Sequence, residues 1–384
     1  MQLPVYMDYA ATTPVDPRVA AAMSRCLTAD GIFANPASRS HIYGWQAEEQ
    51  VEKARRNVAD LLGCDSREVV WTSGATESNN LALKGIFEAC GYEGHLITSV
   101  IEHKAVIDPA IWLESKGVEV TWLEPDANGI ISPELVRNSI RENTRLVSLM
   151  YVNNETGAVN PITEIAHICR DNNVLFHVDA AQAVGKIPVD TNELQVDLLS
   201  LSAHKFYGPK GIGALFVRRP IQSQLKPLIH GGGHERGMRS GTLPTHQLVG
   251  IGEAALIVCE QLETEMIRIA QLRDNLWEGI SDLPNVRRNS SLDNVSPSHL
   301  NVCFSGAEGE TLMLSLREIA VSSGSACTSA TMEPSYVLKA MGLSDEDAHS
   351  SIRISLGRFT EREDIEKAIA HIRTVYTQLI SSTD

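Results

Sequence analysis

The sequence predicts an α/β protein: a large domain on a mostly parallel seven-stranded sheet, followed by a smaller α+β domain. Three observations carry this. From about residue 45, short β-rich runs alternate with helical stretches, the pattern of parallel strands joined by crossover helices. One long helical stretch over residues 245–280 then ends the alternation. Beyond it only two strand candidates remain, set among shorter helices.

The elements follow in order. Trp45–Leu62 has helical periodicity, and Gly63 is placed to cap its end. The seven strand candidates are Val69–Ser73, His95–Val100, Val118–Leu123, Leu146–Val152, Val174–Val178, Leu198–Ser202 and Ile212–Val217. After the long helix, Leu300–Phe304 and Ser351–Ser355 read as strands, with helices at about 308–317 and 334–341. Thr360 and Glu363 have the spacing of a capping box. The helix behind them carries an apolar stripe at 365, 368, 369, 372, 375, 376 and 379. The division expected is a large domain over 15–260 and a small domain formed by 1–14 with 261–384.

Composition narrows the function classes. A chain of 384 residues buries roughly three quarters of its unfolded surface and needs no staples. Lys plus Arg number 33 and Asp plus Glu 48, so the formal charge is 33 − 48 = −15, which argues against a nucleic-acid-binding surface. The first residues have neither a basic nor an apolar region of the signal-peptide kind. The most apolar helical stretch, Leu248–Leu262, is interrupted by Glu253 and Glu260, so no membrane span is expected. Seven cysteines, an odd number without a Cys-x-x-Cys, argue against a disulfide framework and a cysteine zinc site. The expectation is a cytoplasmic protein with reduced thiols and no metal.

Five segments carry possible chemistry. Ser202–Gly211 follows a buried-looking strand and holds His204 and Lys205. A lysine at the carboxyl end of such a strand faces the ligand crevice and, desolvated, becomes a nucleophile toward aldehydes; a solvated loop lysine is the plainer alternative. The strand before Asp179 carries it to the same edge, either to pair with a cationic ring nitrogen or to cap a helix. Thr72–Asn80 is a strand, a glycine turn and a helix start, whose free N–H groups suit a phosphate, although many helices begin this way without binding anything. His103, just past a strand, could stack on a flat ring and shuttle protons, or be structural. Val321–Ala330 is almost wholly Ser, Gly, Ala and Thr around Cys327, a composition expected to leave that thiol accessible on a mobile loop; an idle exposed cysteine is the alternative. The other six cysteines read as small core hydrophobes. His230 and His234 are four apart, but the three glycines between them cannot be expected to hold a helix, so a helical metal pair is rejected; the run to Thr242 reads as a ligand-facing or interface loop.

A nucleophilic lysine, a ring-pairing aspartate, a stacking histidine and a phosphate-ready helix start are together what pyridoxal 5′-phosphate requires. At these residues the chain resembles the cysteine desulfurases of the IscS/NifS type, within the class V aminotransferase-like enzymes of fold type I. The matching stretches include Leu3–Pro14, Asn35–His41, Thr72–Asn80, Glu102–Ala105, Asn153–Gly157, Asp179–Gln182, Ser202–Gly211, Gly231–Pro244, Ser322–Ala330 and Ser351–Arg358, spread in family order over nearly the whole chain.

The resemblance implies roles residue by residue. Lys205 resembles the Schiff-base lysine, and Asp179 the partner of the pyridine nitrogen. Gln182 and Asn154 would contact the cofactor at or near the ring hydroxyl, and His103 would stack on the ring and serve proton transfer. Ala75, Thr76, Ser202 and His204 would hold the phosphate, with Thr242 reaching it from a second subunit of a homodimer. Arg353, assisted by Asn35, resembles the group that takes the carboxylate of L-cysteine. Cys327 resembles the nucleophile that receives the substrate sulfur as a persulfide, releasing L-alanine. The sulfur then passes to an acceptor protein: an iron–sulfur scaffold, a tRNA-thiolation relay or a DNA-phosphorothioation partner. The chain stops directly after its last helix, where housekeeping members usually run on through a tail, so the acceptor stays open among these three. Two rival readings are another cofactor-dependent enzyme, such as an aminotransferase or a selenocysteine lyase, and a non-catalytic subunit. An aminotransferase has no need of the nucleophilic thiol on the Cys327 loop, and a non-catalytic subunit should have lost one of Lys205, Asp179, His103 or Cys327.

Overall fold

The computed structural model describes residues 3–291, 293–323 and 333–381. Its strands are β1 (Val5–Tyr6), β2 (Val69–Thr72), β3 (His95–Ser99), β4 (Glu119–Leu123), β5 (Thr144–Met150), β6 (Leu175–Asp179), β7 (Leu198–Ser202), β8 (Gly213–Val217), β9 (Val286–Arg288), β10 (His299–Phe304), β11 (Ile319–Ala320) and β12 (Ser351–Ser355). Seven form one sheet in the order β2-β8-β7-β6-β5-β3-β4. Neighbours pair in parallel except at β8, which runs antiparallel to both β7 and β2. Ten residues separate β7 from β8, too few for the crossover helix that a parallel pair needs. The fold is therefore α/β with a mostly parallel seven-stranded sheet, as the sequence led us to expect, with β8 as the reversed strand.

Both faces of this sheet are covered, and the strands alternate between them. Val69 and Trp71 join one core with Val147, Leu149, Leu199 and Leu201, while Val70, Leu146 and Leu198 join the opposite core. Helix Ile42–Leu62 packs on the first core and ends at Gly63, whose φ of 64° is the left-handed cap that glycine adopts without strain.

Helix Thr245–Glu278, 34 residues and about 51 Å long, connects the sheet to a third core. Leu248, Ile251, Ala255 and Val258 belong to the sheet core, whereas Ile269, Leu272 and Leu276 pack with β10, β12 and the helix Arg362–Ser381. There β12-β10-β9 form an antiparallel sheet. The N-terminal segment joins the same region: β1 pairs with β11, Asp8 bridges to Ser355, and Met7 is buried in that core. The capping box expected at Thr360 and Glu363 does not form. Thr360 Oγ1 accepts from the Gly357 amide instead, and the Asp364 carboxylate accepts from the Glu361 amide at the helix start.

Candidate active site

The carboxyl ends of β2, β3, β5, β6 and β7 share one edge of the sheet, where an open α/β fold binds its ligands. A cavity of about 510 Å³ opens there. It is lined by Ala75, Thr76, His103, Asn154, Asp179, Gln182, Ser202, His204, Lys205 and Arg353, ten of the residues singled out from the sequence. Cys327 lies outside the described residues.

Two expected residues stand apart from this cavity. Asn35 is exposed and borders a separate cavity of about 440 Å³ with Arg55 and Glu235. Thr242 is exposed and does not line the main cavity. The glycine-rich loop before it does not simply face a ligand. Glu235 turns inward to a buried ion pair with Arg55 and accepts from the Trp71 amide, while Arg239 pairs with Glu77 on the cavity wall.

Lys205 ends a short 3-10 turn that directly follows β7. Its Nζ donates to the carbonyls of Ala10 at 2.7 Å and Ala11 at 2.9 Å, so the N-terminal segment crosses the large sheet to meet it. Asp179 ends β6. Its Oδ2 accepts from Asn79 Nδ2 at 2.7 Å and its Oδ1 from the Ala181 amide at 3.0 Å, so both oxygens are fixed. Beneath it His177 ties three strands together through Ser148 and Ser200, and burial pushes its imidazole down to about 3, leaving it a neutral strut.

Helix Ala75–Ala89 starts at the cavity wall. Gly74 caps it with φ 151° and ψ 178°, a conformation open essentially to glycine, and a Cβ there would come within 3.4 Å of Ser202 Oγ. No side chain caps this helix, so its first N–H groups and positive dipole end face the cavity beside Thr76, Ser202 and His204. Burial, reinforced by Lys205, Lys210 and Lys186, pushes the His204 imidazole down to about 4. His204 is therefore neutral near pH 7 and serves an anion as an N–H donor rather than a cation.

His103 caps helix Lys104–Glu114, accepting from the Ala105 amide on Nδ1 at 3.0 Å. That bond assigns the proton of the neutral ring to Nε2. Arg353, on β12, is nearly fully buried. Its guanidinium donates to Asp8 Oδ1 and to the Asn154 carbonyl, each at 2.8 Å. Arg353 Nε and Asn154 Oδ1 are buried without a hydrogen-bond partner among the described residues.

Three features escaped the reading of the sequence. Asn79 lies within the Thr72–Asn80 stretch, and its position one turn after Ala75, on the same helix face, was the available signal. Lys186 is buried and donates to Gln182 Oε1. Asp8 pairs with a residue 345 positions away, which no local pattern reveals. One reading needs correction: Cys26, Cys169 and Cys303 are buried as expected, but Cys259 is exposed and Cys64 and Cys90 are only partly covered.

Among the described residues there is no group of three or more His, Cys, Asp or Glu able to hold a metal ion, and no helix long and apolar enough to cross a membrane.

Comparison with known proteins agrees in fold over almost the full length. A family model described as aminotransferase class-V matches residues 5–368. A cysteine desulfurase IscS from Aeromonas salmonicida is 60% identical over 374 residues, which span 97% of this chain and 93% of that protein. A solved NifS-like protein superposes with a TM-score of 0.91 at 36% identity, covering 98% of this chain and 100% of the other. A structure described as SspA in complex with cysteine gives 0.83 at 43% identity, over 93% and 100%.

Proposed function

The chain belongs to the class V aminotransferase family, among its cysteine desulfurases of the IscS/NifS type, and on that premise we propose that Lys205 carries pyridoxal 5′-phosphate and Cys327 accepts the sulfur. One observation carries the residue assignment: the Lys205 amine and a doubly held Asp179 carboxylate face one cavity beside an uncapped helix start.

The residues present fit the cofactor. The cavity has the volume of a small-molecule site. Its phosphate end offers the Ala75 and Thr76 amides, the Ser202 hydroxyl and the His204 ring. Its other end offers an anion, Asp179, suited to a protonated ring nitrogen. The unpartnered Arg353 Nε and Asn154 Oδ1 call for polar groups that the cofactor and substrate would supply.

When bound, pyridoxal phosphate supplies an electron sink that acidifies the substrate α-proton and loosens the bond from its β-carbon to sulfur. Asp179 would hold the ring nitrogen protonated. Gln182 and Asn154 would hold the ring hydroxyl, and His103 would stack on the ring. Arg353 takes the substrate carboxylate with its planar guanidinium, in competition with Asp8. With the substrate bound, Lys205 Nζ would be the group that takes the α-proton. Cys327, as thiolate, attacks the substrate sulfur: a sulfur–sulfur bond forms, the carbon–sulfur bond breaks, and its electron pair stays with the carbon fragment. That fragment would take up two protons, one at the β-carbon in place of sulfur and one at the α-carbon in place of the proton removed, and leave as L-alanine. We assign His103 to the proton transfer that accompanies ionisation of the thiol, since an ordinary thiol is largely protonated near pH 7.

We assign Thr242 and Asn35 to the neighbouring site of a homodimer. The sulfur acceptor is an iron–sulfur scaffold protein, a reading supported by the IscS name of the most similar curated relatives and tested by co-purification. The activity itself is tested by giving the purified protein L-cysteine and a thiol reductant. Alanine and sulfide should form in equal amounts. Cys327→Ser should keep the yellow cofactor and lose sulfide release; undiminished release would remove Cys327 from the reaction.

A further inference from the structure

Lys186 is a buried amine with no ion-pair partner among the described residues. Such a group is costly to keep, and an apolar side chain of equal length would be cheaper. Stability therefore does not explain its presence, and its surroundings suggest another role.

Its Nζ donates to Gln182 Oε1, four residues earlier. At the other end of that amide, Gln182 Nε2 donates to the Ala10 carbonyl at 2.9 Å, the same carbonyl that accepts from Lys205 Nζ at 2.7 Å. With an N–H donor on one side and an acceptor-only carbonyl on the other, the amide is set with its oxygen toward the lysine and its nitrogen toward Ala10. The amide nitrogen has two hydrogens, and Ala10 takes one. The second is left for the cavity that Gln182 lines. Behind this arrangement Lys186 and Lys205 both border a pocket of about 20 Å³, room for about one water. The backbone is held as well. Gly185 has φ 77° and lies so close to Phe206 that a Cβ would come within 2.4 Å of the Phe206 side chain.

We propose that Lys186 is a positioning residue acting through Gln182: it locks the amide so that an N–H, not the carbonyl oxygen, is presented to the ring oxygen of the bound cofactor. This rests on the cofactor reading above. The charged groups that act on Lys186 are Lys205 and Arg353, which together with burial push its amine well below the ordinary lysine range. His299, also nearby, is held neutral by burial. The ammonium can only donate to Gln182, and the neutral amine still can, with the Ala10 carbonyl keeping the amide nitrogen on the other side.

The test is a pH titration of the colour of reconstituted holoenzyme in wild type, Lys186→Met, Gln182→Leu and the double variant. An N–H donated to the ring oxygen makes that oxygen less basic, so removing it should move the colour change to higher pH by about one unit. Lys186→Met and Gln182→Leu should each show that shift, and the double variant should show no more than one of them, because both remove the same bond. Thermal stability of the cofactor-free Lys186→Met protein should not fall, since a buried amine has been replaced by an apolar chain. A wild-type midpoint in Lys186→Met, or additive shifts in the double variant, would overturn the proposal. If the methionine variant fails to fold, Lys186→Gln, which still carries an N–H donor, should keep the wild-type midpoint, and a shift there would overturn it equally. Wild-type protein that stays colourless with pyridoxal phosphate would instead overturn the cofactor reading itself.

Discussion

Asn79 and the Ala181 amide fix both oxygens of Asp179, the carboxylate proposed to face the ring nitrogen. Removing the Asn79 contact with Asn79→Ala takes away one hydrogen bond to a charged group, which contributes about 1.5–3 kcal/mol. Cofactor affinity should fall roughly tenfold or more, measured by titrating the cofactor-free protein with pyridoxal phosphate, with little change in fold by circular dichroism. Glu102 gives a second prediction at this scale. It is fully buried directly before His103, and burial pushes its carboxyl up to about 8, with Asp179 adding to the rise. Its folded value lies above its unfolded one, so its contribution to stability is present below the ordinary carboxylate range and is lost as pH rises through about 8. Glu102→Gln should therefore gain on wild type between about pH 5 and about pH 9 in denaturant unfolding; a constant difference across that window would contradict the assignment. Of these residues the sequence exposed Asp179 and His103, which end or follow readable strands. It hid the partners Asn79 and Asp8, because each contact is made across 100 residues or more.

Helix Ile42–Leu62 lies tightly against the first half of helix Thr245–Glu278. At Gly252 the two come so close that a Cβ would lie within 2.6 Å of the Ala54 Cα. In an open helix Gly→Ala gains up to about 1 kcal/mol. Here the obstacle is backbone that cannot step aside, and overpacking of that kind costs about 1–3 kcal/mol. Gly252→Ala should therefore lower the unfolding midpoint, whereas the exposed-helix rule predicts a rise. Elements of this length were legible because burial repeats along them. The apolar stripe after residue 364 is buried at Ile365, Ala368, Ile372, Val375 and Tyr376. End signals were less so. Gly63 caps its helix because left-handed geometry singles out glycine, but the Thr360 and Glu363 spacing fits a box that local loop bonds displaced. Cys259 was misjudged for a related reason: in a helix whose two halves bury different faces against different cores, periodicity alone does not say which side faces water.

The whole molecule divides the work between its parts. The seven-stranded sheet brings Lys205, Asp179 and the helix start to one edge, while Arg353 and Asp8 come from the segments around β12 and β1. On the proposed assignment the substrate would be gripped between two cores joined by one long helix, and any shift between those cores would change the distance from Arg353 to Lys205. The alternation of strand and helix made the large sheet readable. The return of the N-terminal segment to Lys205 rests on contacts across 194 and 195 residues, beyond any local signal. The most direct measurement follows the sulfur itself. The holoenzyme is given L-cysteine without reductant, its thiols are alkylated, and each cysteine-containing peptide is weighed by mass spectrometry while alanine is counted. One additional sulfur on the peptide bearing Cys327, matched to alanine formed, is the expected result; alanine formation with that peptide unmodified, or with the sulfur on another cysteine, would contradict it.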